Sequence, residues 1–442
     1  MTPSAAGLEQ FVSPRSIEGY LRRIATNRLR AGSYDMTVEQ GVEFDEIMRH
    51  AASFARALSR AALERSHVFT PGAVRVRSVR GKEREFTSFG LSDLVLHYAA
   101  AAMVTLAFER ASSRFVYSYV PGRSYDRAVA ALAAYVQHRA KAETPEDLYV
   151  LRLDVAGYFE SIPVHREATI WASLRRGLSQ AHGDLGVDWG MWLLEQTIRP
   201  TLRLPDGGTC CRTLGLPIGT PLSPPVSNHY LLPLDMFLER HPGAFFARYG
   251  DDVIYCHKDP ERVLDVERET LRRLGDLGLS VSEQKSARLR LTASGAAAGH
   301  PAFEPTQFVN FLGLAVGPTG RLRLQEAHVA KLLRELRRRV SSVVACFVDE
   351  TIPERVLALR STLRQALDLR SPFRAKHTRP FATVRIDRAQ RRYIEHELAL
   401  LVARGATGIF GVRALRRLRA SMGPETHAPA LLPSPVRVSR HA

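Results

Sequence analysis

Phe245-Phe246-Ala247-Arg248-Tyr249-Gly250-Asp251-Asp252-Val253-Ile254-Tyr255-Cys256 is the stretch on which the reading of this chain turns. Apolar runs on both sides of a Gly-Asp pair spell a β-hairpin. Turns of that composition are common. Two consecutive carboxylates at the tip are not neutral decoration, because they repel each other and leave the turn electrostatically poor. A divalent cation at the tip reverses the sign of that energy.

Two further stretches keep this hairpin company. Leu151-Arg152-Leu153-Asp154-Val155-Ala156-Gly157-Tyr158-Phe159-Glu160-Ser161-Ile162 places an aspartate at the end of an apolar strand, where its side chain can lie beside the hairpin. Carboxylates on adjacent strands are hard oxygen ligands suited to magnesium. Two ions about 3.5–4 Å apart activate a primer 3′-hydroxyl and stabilise departing pyrophosphate. Gly215-Leu216-Pro217-Ile218-Gly219-Thr220-Pro221-Leu222-Ser223-Pro224-Pro225-Val226-Ser227-Asn228 reads as a close-approach loop leading into a helix from about Val226 to Leu238. Such a loop can lay backbone against a nucleotide.

The bulk numbers agree with an enzyme body that handles a polyanion. The chain has 442 residues, 45% hydrophobic and 24% charged, enough for a buried core in two or three lobes. Net charge is +17 and is regional. Residues 321–442 hold 25 lysines and arginines against 10 aspartates and glutamates, leaving about +2 for the first 320 residues. A basic third on a near-neutral body suggests a nucleic-acid grip. No apolar run approaches the roughly 18–20 residues that span a bilayer. The N-terminus lacks a signal-peptide pattern, so the expected compartment is the cytoplasm and no membrane partner is expected. Four cysteines without a CxxC pair predict neither a zinc knuckle nor a disulfide framework.

Along the chain, residues 17–63 read as helical and Pro71-Gly72 ends them. Val74 to Phe89 alternates as a basic hairpin with a Gly81-Lys82 turn. Leu91 to Arg110 and Tyr125 to Lys141 return to helix. After Gly320, Leu332, Leu336, Val340, Val344 and Phe347 recur at helical spacing with Arg334, Arg337 and Arg338 outside. Val356–Leu367, Tyr393–Val402 and the Arg413–Arg419 run also read as helical, and the tail beyond Gly423 as loose.

The three quoted stretches, in this order, resemble palm motifs A, B and C of reverse transcriptases, with Tyr249-Gly250-Asp251-Asp252 as the characteristic box. Val79-Arg80-Gly81-Lys82-Glu83-Arg84-Glu85-Phe86 with Ser92-Asp93 resembles the fingers motifs of the bacterial enzymes. Ser118-Tyr119-Val120-Pro121-Gly122-Arg123-Ser124 resembles a segment of group II intron-like enzymes. Phe308-Val309-Asn310-Phe311-Leu312-Gly313-Leu314 resembles the element that closes the palm against the primer.

The resemblance implies an α+β right-hand polymerase. It divides the chain into an N-terminal helical extension (1–70), fingers (71–145), a palm with an antiparallel sheet (146–320), a helical basic thumb (321–422) and a tail (423–442). It implies RNA-directed DNA synthesis with two Mg2+ or Mn2+ ions on Asp154, Asp251, Asp252 and the Val155 carbonyl. Lys82, Arg84, Phe159, Ile218 and Gly219 would receive the dNTP. Arg123, Tyr249, Leu312, Gly313, Arg334 and Arg338 would hold primer and template. Phe159 falls at the sugar-gate position, where an aromatic ring clashes with a 2′-hydroxyl, so the product is expected to be DNA. RNA-copying RNA polymerases tend to carry a second aspartate there. The expected partners are an RNA template, a DNA or RNA primer and dNTPs, with a cognate noncoding RNA left open.

The chain also departs from the family. Most members have Pro-Gln-Gly where this chain has Pro217-Ile218-Gly219, which is similar to diversity-generating retroelement enzymes and some phage-defence enzymes. Fidelity is therefore in question rather than catalysis. The retron-type Val-Thr-Gly element is not visible, and no Cys/His endonuclease cluster follows the thumb. His165, His257 and His300 lack metal-ligand partners at useful spacing and read as incidental. Trp171, Trp189 and Trp192 read as core or lobe contacts. Three rivals stay open at this level: a maturase-like RNA-binding protein, untemplated DNA synthesis and an RNA-copying RNA polymerase.

Overall fold

In the computed structural model the described residues are 7–31, 38–79, 82–141, 146–292 and 299–325, with Ala330, Arg334, Tyr393 and His396. The chain forms two compact units. One comprises Met1–Ala128 and Tyr149–Arg288, the other Val129–Leu148 and Leu289–Ala442.

In chain order, a 3-10 turn (Leu8–Val12) precedes α1 (Pro14–Ala31), α2 (Val38–Arg49) and α3 (Ala51–Leu63). The hairpin β1 (Gly72–Val79) and β2 (Lys82–Ser88) leads to α4 (Leu91–Ala111) and α5 (Tyr125–Ala140). Then come β3 (Leu148–Asp154), α6 (Tyr158–Ser161), α7 (Thr169–His182), α8 (Val187–Ile198), β4 (Leu202–Arg203) and β5 (Thr209–Cys210). After α9 (Ser223–Tyr230) and α10 (Leu232–Glu239) follow β6 (Phe245–Tyr249), β7 (Asp252–His257) and α11 (Pro260–Asp276). The chain then makes β8 (Ala287–Leu291), β9 (Glu304–Thr306), β10 (Val309–Phe311), β11 (Leu314–Val316) and β12 (Leu322–Leu324).

The first unit is built around α4, which is apolar on every side, the mark of a buried helix. Helices α1, α7, α8 and α9 pack against it. It corrects the expectation that no segment reaches spanning length. Its mean hydropathy of 1.5 passes that test, yet 67% of its most apolar window is buried inside the fold. Asp93, His97, Glu109 and Arg110 interrupt its apolar run in the sequence. Buried Asp93 is accounted for: His67 Nε2 lies 2.7 Å from one carboxylate oxygen, and the Thr70 amide and hydroxyl donate to the other.

Beside this helical layer, β6, β7 and β3 run antiparallel. Phe245, Phe246, Val253, Ile254 and Tyr255 of the hairpin are buried. Helix α11 starts cleanly because the Asp259 side chain caps the Glu261 and Arg262 amides and Pro260 needs no donor there. The basic hairpin β1–β2 belongs to a second sheet, in the order β2-β1-β4-β5.

Two expected helices are each divided. The stretch 17–63 becomes α1, α2 and α3. The helix of 226–238 becomes α9 and α10, split at Leu231, because Pro233 has no N–H and crowds the carbonyl four residues back. In the second unit, β8 pairs with β9 in parallel and β10-β11-β12 form an antiparallel sheet. The thumb helices, Arg338, Cys346 and the tail lie outside the described residues. Arg334 is helical and exposed.

Candidate active site

Strands β3 and β7 pair from Tyr149 opposite His257 to Asp154 opposite Asp252. Directly opposed residues of an antiparallel pair point to the same face, so the Asp154 and Asp252 carboxylates leave the sheet side by side. Asp251 occupies the turn between β6 and β7. Its carbonyl accepts from the Val155 N–H at 3.1 Å, tying the hairpin tip to the residue after Asp154. The turn has two residues, because Tyr249 pairs with Asp252. Gly250 stands at its first central position with φ 67°, where a side chain is strained although space is open.

The electrostatics follow from this crowding. Burial raises the Asp251 carboxyl above its usual range, and the Asp154 charge raises it further. Burial pushes Asp252 up to about 6, with Asp251 and Asp154 adding to the rise and Arg152 and Lys285 opposing it. Neither Asp251 nor Asp252 has an ion-pair partner among the described residues.

Asp154 does have one. Lys285 Nζ donates to its Oδ1 at 2.6 Å, and this bond raises the lysine's own pKa. The turn that carries Lys285 is fastened to the same strand end. The Ser282 N–H donates to the Asp154 carbonyl at 2.8 Å, and the Ser286 hydroxyl accepts from the Asp154 N–H. Arg152 in turn donates to the Lys285 carbonyl at 2.8 Å.

Among the described residues, no group of three His, Cys, Asp or Glu side chains stands in a metal-holding arrangement. The donor chemistry nevertheless fits a hard divalent cation. Asp154 and Asp252 stand opposite one another with Asp251 beside them in the turn, all hard oxygen donors, and Lys285 takes one Asp154 oxygen.

The loop before α9 closes one wall of the site. The Leu216 N–H donates to the Phe159 carbonyl at 2.8 Å, and the Thr87 N–H of β2 donates to the Ile218 carbonyl at 2.8 Å. Gly219 has φ 101°, and a Cβ there would come within 3.3 Å of the Thr87 carbonyl oxygen. The expected close approach of this loop is thus directed at the basic hairpin. Phe159 and Ile218 are half-buried along that wall. Arg84 is exposed on β2, and its charge acts on Asp251 to lower its pKa. Lys82 pairs with Val79 in the hairpin, and its side chain lies outside the described residues.

Tyr249 is half-buried, its ring 6.5 Å from that of Tyr119. Arg123 donates through Nη1 to the Ser113 and Val116 carbonyls, which commits that nitrogen to its own loop. Leu312 and Gly313 lie in the second unit, as the two-residue turn of the β10–β11 hairpin, with φ 50° and 86°. The three histidines make local contacts. His257 Nδ1 accepts from the Asp259 N–H, His300 Nδ1 from the Ala302 N–H, and His165 faces Glu167. Trp189 donates to the Ala62 carbonyl and sits beside Trp192, which makes both lobe contacts.

Sequence reasoning missed Lys285, a single cation in a polar run with no pattern to mark it. It also missed the partners of Arg248 and Ser118, which are buried far from one another in the chain.

No curated protein sequence matches this chain. Among solved structures it is similar to apo telomerase from Candida tropicalis truncated from its C-terminal domain, at 13% identity and TM-score 0.44, over 62% of this chain and 60% of that one. It is also similar to telomerase from Candida albicans in complex with a TWJ fragment of telomeric RNA, at 12% identity and TM-score 0.45, over 78% and 61%. The chain spans about three fifths of the length of those telomerase chains. Residues 99–316 match the family model described as reverse transcriptase (RNA-dependent DNA polymerase), a span that takes in all three palm stretches. With the α+β architecture in place, residues 99–316 are thus similar to the reverse transcriptase (RNA-dependent DNA polymerase) family.

Proposed function

We propose that this chain copies RNA into DNA, adding dNMP to the 3′ end of a DNA or RNA primer with two divalent ions, Mg2+ or Mn2+. The single observation that carries this reading is the register of Asp154 opposite Asp252, with the Asp251 turn tied to Val155. Asp154 and Asp251 would hold both ions, with Asp252 and the Val155 carbonyl in support. Bound there, such ions lower the pKa of an attacking hydroxyl and neutralise a departing pyrophosphate.

The chain's own residues do the positioning, which supplies much of phosphoryl transfer. Lys82 and Arg84 on the basic hairpin grip the incoming triphosphate by charge-assisted hydrogen bonds. Phe159 lies against the loop of Ile218 and Gly219, where its ring excludes a 2′-hydroxyl. Lys285 holds the Asp154 carboxylate in place through its 2.6 Å bond. Tyr249, Arg123, the Leu312–Gly313 turn and the basic region with Arg334 and Arg338 receive primer and template. The fingers, palm and thumb boundaries given above belong to this proposal, as does a cytoplasmic setting. The aliphatic Ile218 favours an error-tolerant enzyme, of the kind that serves retroelement diversification or phage defence with a cognate noncoding RNA.

Primer extension on an RNA template, with dNTPs or rNTPs and with template withheld, tests the reading. Templated DNA products from dNTPs alone are expected. Products without template would point to untemplated synthesis, equal use of rNTPs to an RNA polymerase, and RNA binding with no product to a maturase-like role.

A further inference from the structure

Arg248, the residue before Tyr249 in the hairpin, is fully buried, and so is Asp235 on α10. A purely structural ion pair would need no more than these two. Here the guanidinium makes a two-pronged fork on Asp235, Nε to Oδ1 at 2.7 Å and Nη2 to Oδ2 at 2.6 Å, and still has Nη1 to spare. Nη1 donates to the Asn228 Oδ1 at 2.9 Å and to the Gly250 carbonyl at 3.1 Å.

The other backbone group of Gly250 is held by the same cluster. Its N–H donates to the Ser118 hydroxyl oxygen at 2.8 Å. The Ser118 hydroxyl donates to the Asn228 Oδ1 at 3.1 Å, and the Asn228 amide donates to the Ser118 carbonyl at 2.7 Å. Ser118 and Asn228 are also fully buried. Residues 115–118 are laid along β6 by backbone bonds from Arg248 N–H to the Phe115 carbonyl and from Tyr117 N–H to the Arg248 carbonyl.

Both hydrogen-bonding groups of one glycine are thus satisfied by two buried side chains, Ser118 and Arg248, which are themselves held by Asn228 and Asp235. That glycine immediately precedes Asp251, at a positive φ the turn cannot do without. We propose that Ser118, Asn228, Asp235 and Arg248 form a clamp that sets the pitch of the Gly250–Asp251 turn, and so are positioning residues for divalent-cation binding by the Asp154–Asp251–Asp252 edge. The inference rests on the proposed function for the role of the cation, and on the geometry alone for the clamp.

The clamp also gives Ser118 and Asn228, two residues of the motif stretches with no part in the carboxylate edge, a common purpose. Residues that orient metal ligands from behind cost about 10- to 100-fold in metal affinity or activity when removed. Removing the Ser118 hydroxyl frees the Gly250 N–H while leaving the Arg248–Asp235 fork whole.

The test uses the full chain and two readouts. Mn2+ binding followed by electron paramagnetic resonance does not depend on turnover. Primer extension titrated with Mg2+ and, separately, with dNTP does. Ser118→Ala is expected to weaken Mn2+ binding about tenfold and to raise the half-saturating Mg2+ by a similar factor. Its dNTP KM should stay close to that of the unaltered chain, and its melting temperature should fall only modestly, through the unpaired Gly250 N–H. Should that variant fail to fold, Arg248→Lys keeps a cation for Asp235 but gives up the reach to Gly250, and the same shift in Mn2+ affinity is expected. A folded variant of either kind with unaltered Mn2+ affinity overturns the clamp, as does an unaltered chain that binds no Mn2+. A chain that binds Mn2+ but makes no DNA overturns the polymerase reading instead, and the Mn2+ comparison still decides the clamp.

Discussion

Two acidic regions of the first unit, joined by one hairpin, are treated in opposite ways. Asp235 is fully buried and fully matched: both of its oxygens face the Arg248 guanidinium. Asp251 and Asp252, at the tip of the strand pair that carries Arg248, are crowded against Asp154 and have no ion-pair partner among the described residues. The protein can neutralise a buried carboxylate, and does so behind the turn. In front of it Lys285 bonds only Asp154, and Asp252 is pushed up to about 6 by burial and by its two acidic neighbours. That contrast between the two regions is what the proposed cation site at the front edge rests on.

The contrast makes the two regions respond differently to substitution. The largest effect expected is that of Asp251→Ala on dNTP incorporation, a loss on the order of 10³-fold or more, since several kcal/mol of charge stabilisation go with the ligand. Its melting temperature should hold or rise, because one of three mutually repelling charges is gone. Retained incorporation would defeat the metal assignment.

Behind the turn the order reverses. Arg248→Ala leaves Asp235 buried without a partner, and urea unfolding should show a loss of about 3–5 kcal/mol. The double variant Asp235→Leu with Arg248→Met should recover most of that stability, because apolar replacement of a buried pair is often neutral. Stability as poor in the double variant as in the single one would show that the pair is not the source of the loss.

A third buried group, His97 on α4, sharpens the comparison through pH. Neither of its ring nitrogens has a hydrogen-bond partner among the described residues, and its ring packs 4.3 Å from that of Phe89. Burial lowers its pKa to about 4, against a smaller opposing pull from Asp93. Asp93 itself, despite its burial, is held below the usual carboxylate range by hydrogen bonds from His67 and Thr70, so it titrates below this window. Between pH 6.5 and about 4 the unfolded chain binds a proton at His97 that the folded chain refuses. The contribution of His97 to stability therefore falls as pH drops through that window, by roughly 3 kcal/mol, and changes no further below it. Thermal unfolding of His97→Leu across the same range should lack that slope. An equal slope in the variant would place the acid sensitivity elsewhere.

The smallest effect concerns sugar choice. Phe159→Ala should lower the preference for dNTP over rNTP by roughly 10- to 100-fold, the worth of a steric contact of this size, with little change in stability. Competition between dNTP and rNTP in primer extension measures it, and an unaltered preference would remove Phe159 from the gate.

The front region was largely legible in the sequence, and the rear one was not. Asp154, Asp251 and Asp252 could be read because strand alternation and a two-residue turn are local patterns, and because three such stretches in this order resemble a family. The β1–β2 hairpin and α4 were legible for the same local reason. What could not be read depends on pairings across distance: Ser118 with Asn228 over 110 positions and Gly250 with Ser118 over 132. An arginine in a strand reads as a surface residue until its partner is known, and Asp235 on a mostly apolar helix gives no sign that it faces one. Lys285 was missed on the same grounds, since only the fold brings it to Asp154. The single helix expected over residues 226–238 failed for a local reason that Pro233 had already written, one that helical spacing alone overrode.

The claim that matters most is that Asp154 and the Asp251–Asp252 turn bind the same divalent ions, and metal-directed cleavage tests it without any substrate. Fe2+ bound in place of Mg2+ generates hydroxyl radicals that cut the backbone nearest to it. The full chain, treated with Fe2+ and ascorbate, should be cut both near Asp154 and near Gly250–Asp252, with both cuts suppressed together by Mg2+ and absent in Asp251→Asn. Cleavage at only one of these segments, or at both in a manner that Mg2+ and Asp251→Asn leave unaltered, would contradict a shared site.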